Sequence, residues 1–582
     1  MLKINPKRIA IPLVIAVTGH RDLVPEEIPG IRERVRNLLA DLAKRYPERR
    51  LRVMSPLAEG ADRLVAREAL ALGVELIVPL PMPRETYIRD FQTEESVREF
   101  DHLCAGANEI LELPLARKNT LEDIDDYGPA RDLQYAQVGI FLCAHCHILL
   151  AIWDGKLTGD LGGTGQVVRF HHDDIMEGYI ERSTASQQML VDDESDLVYH
   201  IVCSRDRPDG APHEDFEPLQ TWWFTKDEKE PRRTSIPPQH EVIFRRSGEF
   251  SRDARQHAVR ISQECYPLYD EDETDYLPNG IKTIHYLFCI ADWLAIFYQK
   301  RVLFALRATH ALAFLMGLMF ILYTDWATAN TYMFAFLGFF ALAYAVQRLA
   351  TRSAWNRKYL DYRALAEGLR VQFYWAAAGV TSENESKFTH DNFLQTQDPE
   401  LGWIRNIMRV AGTRCDAHPQ TSSKGLAFVL REWIGSPTSG QLGYYRRKAD
   451  ERLKKSRNTA ILAKIGLLVS VLVVIAIIIF GSTMPDTLRD QLMVLMGSIL
   501  LLVGIRHGYA FSTAESELIK QYEFMLRIFN NARRRLEIAA SNRERRLVLR
   551  ALGGSSLDEH AQWILMHRER SIDQAEIWRM GG

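Results

Sequence analysis

Residues 11–21 read Ile-Pro-Leu-Val-Ile-Ala-Val-Thr-Gly-His-Arg. Positions 11–17 form a continuous apolar run that ends in a glycine-containing turn. A run without polar alternation is what a strand buried on both faces requires, as in a parallel sheet covered by helices. The flanking sequence continues the pattern. Residues 26–44 carry Ile28, Ile31, Val35, Leu38, Leu39 and Leu42 at helical spacing. Residues 50–55 read as a second strand, 61–71 as a helix, and 74–80 as a third strand closed by Pro81-Met82-Pro83. Strand, helix, strand, helix, strand at this spacing predicts an α/β fold with a doubly wound sheet. A further strand is expected at 147–153, ended by Asp154-Gly155, and a last one on the sheet edge at 197–203. Residues 205–280, rich in Pro, Asp, Glu and Arg, read as an irregular insertion or linker with some helix near 252–265.

The chain has 582 residues, too many for one core. Its 72 Lys+Arg against 75 Asp+Glu give no reason to expect a nucleic-acid polymer as partner. Seven cysteines form no disulfide ladder, and the opening residues lack the cleavage site of a signal peptide. A reducing cytosol is therefore expected for the first 300 residues.

Four apolar segments follow, at 302–323, 332–349, 460–480 and 491–505. A bilayer-spanning helix needs about 20 mostly apolar residues. Basic residues flank the pairs: Lys300 and Arg301; Arg348, Arg352, Arg357 and Lys358; Arg446, Arg447, Lys448, Lys454, Lys455 and Arg457; and Arg506. The short turns inside the pairs hold only Arg489. The positive-inside rule then puts both termini and residues 350–459 in the cytosol. The two pairs look duplicated. Tyr298-Gln299-Lys300-Arg301 leads into one and Tyr444-Tyr445-Arg446-Arg447-Lys448 into the other, and an amphipathic helix follows each.

Three turns carry candidate chemistry. Thr18-Gly19-His20-Arg21 ends the first strand, where ligands of open α/β sheets sit. Ser55 ends the second, and Glu59-Gly60-Ala61-Asp62 opens a helix whose amino end suits an anion. Gly162-Gly163-Thr164-Gly165 gives backbone access to a phosphate before another helix. Cys143-Ala144-His145-Cys146-His147 matches a haem-attachment spacing, but apolar residues on both sides read it as core. His171-His172-Asp173-Asp174 has no second cluster at ligand spacing, so no metal is expected.

The segments VTGHR and SPLAEGADRLVAREAL resemble the SLOG branch of the Rossmann-like superfamily. So do LGVELIVPLPMP with Tyr87, Asp90 and Phe91, and the Gly-Gly-Thr turn. The resemblance covers about residues 10–205. It implies a doubly wound, Rossmann-like SLOG domain at 1–205, a linker at 206–300, and an all-α membrane domain at 301–582 with four transmembrane helices. The cytosolic helices of that domain are expected at 350–459 and 508–582. SLOG domains fused to spans resemble effectors of bacterial antiphage defence of the CBASS and Thoeris type, and the paired spans resemble SLATT modules. The implied ligand is a nucleotide second messenger, a cyclic oligonucleotide or an ADP-ribose derivative, with no cofactor. The implied setting is the bacterial inner membrane, as a homo-oligomer. LOG-type hydrolases of this branch carry a glutamate where this chain has Arg169. That substitution removes a general acid/base and leaves a cation suited to phosphate. A sensor is therefore expected rather than a membrane-anchored nucleotide hydrolase. A transporter is the other alternative; the ionisable residues in the spans are Arg307, His310 and Lys464, all near their ends.

Overall fold

The computed structural model describes residues 10–116, 119–157, 160–179, 196–226, 229–269, 276–380 and 399–569. The chain divides into two compact units, Met1–Ile290 with Leu365–Leu426, and Ala291–Ala364 with Ala427–Gly582. The strands are β1 (Leu13–Gly19), β2 (Leu51–Met54), β3 (Glu75–Leu80), β4 (Glu109–Glu112), β5 (Ile148–Trp153), β6 (Val198–Val202), β7 (Thr221–Phe224) and β8 (Arg232–Arg233). The helices up to β5 are α1 (Ile28–Arg45), α2 (Ala61–Ala71), α3 (Arg84–Tyr87), α4 (Glu94–Gly106) and α5 (Pro129–His145). Next come α6 (Thr164–Asp173), α7 (Pro238–Gln256), α8 (Ala258–Glu264), α9 (Ile281–Asp325), α10 (Asn330–Arg352) and α11 (Trp355–Ala378). The last are α12 (Gly402–Ala417), α13 (Ser423–Val429), α14 (Gly440–Phe480), α15 (Asp486–Ser512), α16 (Glu515–Ile538) and α17 (Asn542–Glu569).

The first unit is built on one sheet, in the order β4-β3-β2-β1-β5-β6-β7-β8 among the described residues. The first six of these are parallel; β7 runs antiparallel to β6, and β8 antiparallel to β7. Leu13 to Val17 of β1 are all buried, as the unbroken apolar run demands. Alternate residues point to opposite faces. Val14 and Ala16 pack with Phe141 and Leu142 of α5, Val167 and Val168 of α6, and Val410 of α12. Leu13, Ile15 and Val17 face the other way, where α1 and α2 pack on the sheet. Each such side chain stabilises the fold by about 1.5–3 kcal/mol. Strand order reverses between β1 and β5, which opens a crevice at their carboxyl ends.

Among the described residues of the region expected to be irregular there are strands and helices. β6 does not end the sheet, because β7 and β8 extend it. Helix α7 begins at Pro238, ahead of the helical stretch expected near 252–265, and buries Ile243, Phe244, Phe250 and Ala254. Charged residues crowd the gaps between these, so composition hid the period. The sequence reading also passed over β4 and α3–α5, which build much of one site wall. The compact units place residues 365–426 with the first unit, a division different from the expected boundaries at 205 and 300.

Among the described residues four helices are long and apolar enough to cross a membrane, and each expected span falls inside one of them, within the second unit. At most 22% of any span window is buried within the protein. Leu462, Ile478 and Phe334 are 69%, 76% and 72% exposed. Surfaces this apolar require lipid or protein around them.

The unit repeats one layout. A helix of 45 residues is matched by one of 41, each is followed by a second span, and each second span leads into a 24-residue helix. The joints are alike. Ala354 and Ala514 both adopt the left-handed conformation, at φ 49° and 48°. Ser353 N bonds Leu349 O and Ala354 N bonds Thr351 O; Thr513 N bonds Tyr509 O and Ala514 N bonds Phe511 O. Tyr298 meets Tyr362 at 5.7 Å, and Tyr445 meets Tyr522 at 6.1 Å. The duplication expected from the sequence is thus visible as geometry.

Candidate ligand site at the carboxyl edge of the sheet

The end of β1 is locked to its neighbours. His20 N donates to Ile152 O and Ala61 N donates to His20 O, at 3.1 Å each. A Cβ at Gly19 would lie 2.9 Å from Ile152 O and closer still to Ala61 Cβ, so only glycine lets α2 start here. Gly60, at φ +82°, turns the chain against the carbonyls of His20 and Arg21. The His20 ring bridges the crevice: Nε2 lies 3.1 Å from Asp154 Oδ1, with both side chains buried. Asp154 N also lies 3.2 Å from the same nitrogen. One nitrogen cannot donate and accept at once, and the carboxylate favours a protonated Nε2 that donates to it. Burial pushes the Asp154 carboxyl up, but His20 and the Lys156 N–H outweigh it and hold it below the usual range.

Arg21 turns the other way. Its guanidinium stands 5.2 Å over the Tyr135 ring of α5. The backbone at Gly162 passes so close to Tyr135 and Ala136 that a Cβ there would sit 2.8 Å from Ala136 N. Arg21, the start of α2 and the start of α6 therefore converge on the first turns of α5.

Helix ends supply the anion chemistry. The first bond inside α6 runs from Val167 N to Gly163 O, so the N–H groups of Thr164 and Gly165 at its amino end have no intrahelical acceptor. The glycines' own groups are spent: Gly162 N donates to Gln166 Oε1 and Gly163 N to Asp160 O. In α2 the first bond runs from Leu64 N to Gly60 O, which leaves the Asp62 and Arg63 N–H groups in the same condition. An anion at two such ends, beside an arginine, is a favourable arrangement.

Other expected residues are occupied within the fold. The Ser55 hydroxyl donates to Asp62 O at 3.1 Å and accepts from Leu57 N at 3.2 Å, which shapes the turn. Glu59 accepts from Ser96 Oγ and from Gln92 N, at the start of α4. Arg169 pairs with Glu177 at 3.1 Å. Thr18, 8% exposed, caps the α5 face of β1. Asp62 is fully buried, and desolvation pushes its carboxyl up to about 7 against the pull of Arg21.

The sequence reading missed Arg131, Gln134, Tyr135 and Asp154. Arg131 is buried and donates to Asp90 Oδ1 at 2.6 Å and to Thr86 O at 2.8 Å. Arg131 and Gln134, three residues apart on one face of α5, were the available signal. The cysteine motif is core: His145 Nδ1 lies 2.8 Å from Arg409 O, and His147 Nε2 lies 3.0 Å from Asn406 O. Burial pushes the Cys146 thiol up to about 12. Among the described residues no group of three or more His, Cys, Asp or Glu is placed to hold a metal.

No family model matches the chain. No curated protein and no solved structure matches it either.

Proposed function

We propose that the first unit is a SLOG-type, Rossmann-like nucleotide sensor, and that the second is the membrane effector it controls. The observation that carries this reading is the convergence of Arg21 with the amino ends of α2 and α6, where the strand order reverses. That arrangement suits the phosphates of a second messenger, a cyclic oligonucleotide or an ADP-ribose derivative. The same chain carries four helices fit to cross a bilayer. By the positive-inside rule both termini face the cytosol, in the inner membrane of a bacterium. Four spans enclose no wide pore, so the effector acts as a homo-oligomer, in antiphage defence of the CBASS or Thoeris type. To drive a closed population open from 1:99 to 99:1, the messenger must prefer the open state by about 10⁴-fold.

The test is dye release from liposomes holding the full-length protein, with cyclic oligonucleotides and cyclic ADP-ribose isomers added singly. Leakage with one ligand, lost in Arg21→Ala, supports the reading. Binding without leakage retains the sensor and removes the effector.

A second reading, a membrane-anchored nucleotide hydrolase, is favoured by Asp62, a buried carboxyl that titrates near neutrality. Consumption of the nucleotide by the wild type, lost in Asp62→Asn, would put the hydrolase first.

A further inference from the structure

The first two turns of α5 hold a cluster of buried polar atoms that the fold leaves unbonded. Gln134 is 0% exposed, and neither its amide oxygen nor its amide nitrogen has a hydrogen-bond partner within the protein. The Tyr135 hydroxyl, Asp90 Oδ2 and Arg131 Nε are buried and unbonded in the same way. A buried amide without a partner is costly, and interiors rarely tolerate several together.

The cluster adjoins the anion site. Gln134 precedes Tyr135, whose ring receives Arg21. It shares a helix face with Arg131, three residues earlier, which grips Thr86 O and Asp90. Aromatic rings stand beside it. Tyr87 lies 6.4 Å from Tyr135, 5.2 Å from Phe91 and 5.9 Å from Phe100.

We propose that this cluster is the second half of the ligand site, in which the Gln134 amide reads the edge of a nucleobase. The inference rests on the anion site described above and deepens it. A carboxamide presents one donor and one acceptor in a plane, which matches the paired donor and acceptor of a base edge. The half-buried Tyr135 ring offers a face on which a base stacks. Arg21 and the helix ends hold the phosphate, and α5 selects what the phosphate carries.

The experiment is calorimetric titration of the full-length protein in detergent with AMP, GMP, CMP, UMP and ribose 5-phosphate. At least one nucleotide should bind tenfold or more tighter than ribose 5-phosphate. Gln134→Leu should erase that increment and leave ribose 5-phosphate affinity within twofold. Gln134→Met serves as a second variant should leucine perturb packing. Both should melt no lower than the wild type without ligand, because neither buries an unbonded amide. Arg21→Ala should weaken all five probes together. Equal binding of ribose 5-phosphate and every nucleotide overturns the base-reading role, as does an increment that survives both Gln134 variants. In either case the anion site stands. If ribose 5-phosphate and the nucleotides all fail to bind, the anion site itself is wrong, and the role of Gln134 falls with it.

Discussion

His20 and Asp154, 134 residues apart, meet at 3.1 Å across the ends of β1 and β5, the two strands between which the sheet reverses. Both side chains are buried, so the pair clamps the crevice from within. His20→Ala would remove one of the two donors to the buried Asp154 carboxylate and leave the Lys156 N–H alone on it, at a cost of about 1–3 kcal/mol. Asp154→Asn keeps a hydrogen-bonding group and should cost less. Chemical denaturation followed by tryptophan fluorescence ranks the two; equal losses would mean the pair is not a clamp.

The two glycine turns provide a matched comparison. Gly60 and Gly73 both sit at positive φ, +82° and +69°. An added Cβ at Gly73 meets nothing within 4 Å, while one at Gly60 runs into the carbonyls of His20 and Arg21. Gly73→Ala should therefore cost only the backbone strain, about 1–2 kcal/mol. Gly60→Ala should cost more and also weaken phosphate binding, read as a shift in melting temperature with and without ribose 5-phosphate.

Arg21→Ala should lower the affinity for ribose 5-phosphate by about 10–100-fold, the usual loss for a charge-assisted contact. Its folded stability should hardly change, because Arg21 is exposed and solvent screens both its Tyr135 contact and its pull on Asp62. Titration calorimetry measures the first and a thermal melt the second.

Asp62 makes the site pH-dependent. Its carboxyl stands at about 7 in the fold, above the value of about 3.9 in an unfolded chain. Folding therefore favours the protonated form. That contribution is complete below pH ~4 and is lost as pH rises through ~7. An anion at the neighbouring helix ends should likewise bind more tightly as pH falls towards 6. Asp62→Asn should bind tightly across the range and flatten the profile. A flat profile in the wild type would show that Asp62 does not face the anion.

The repeated joints of the second unit make a prediction of their own. Ala354 and Ala514 hold the left-handed conformation without being glycine, at a strain of about 1–2 kcal/mol each. Ala354→Gly and Ala514→Gly should each raise thermal stability in detergent, and by similar amounts. Unequal responses would show that the joints are alike in shape but not in load.

What local sequence determined here is what local physics can read. The apolar run at 13–17 specified a two-faced strand, and 61–71 began and ended as a helix where its residues predict. All four spans fell within the helices that carry them. Turn glycines marked the amino ends of α2 and α6 without any knowledge of the partners. Tertiary structure decided which of those turns meet, and what each side chain does there. Ser55 and Glu59 looked like ligand contacts, yet Asp62 O and Ser96 engage them. Gln134 and Tyr135 drew no reading from the sequence, yet the fold sets Tyr135 beside Arg21 and leaves polar atoms of both unbonded. The strands β7 and β8 were hidden in a polar stretch because they complete an existing sheet rather than start one. The physical reason is range. Periodicity and turn preference act over a few residues, whereas a side chain's partner is set by packing between segments a hundred or more residues apart.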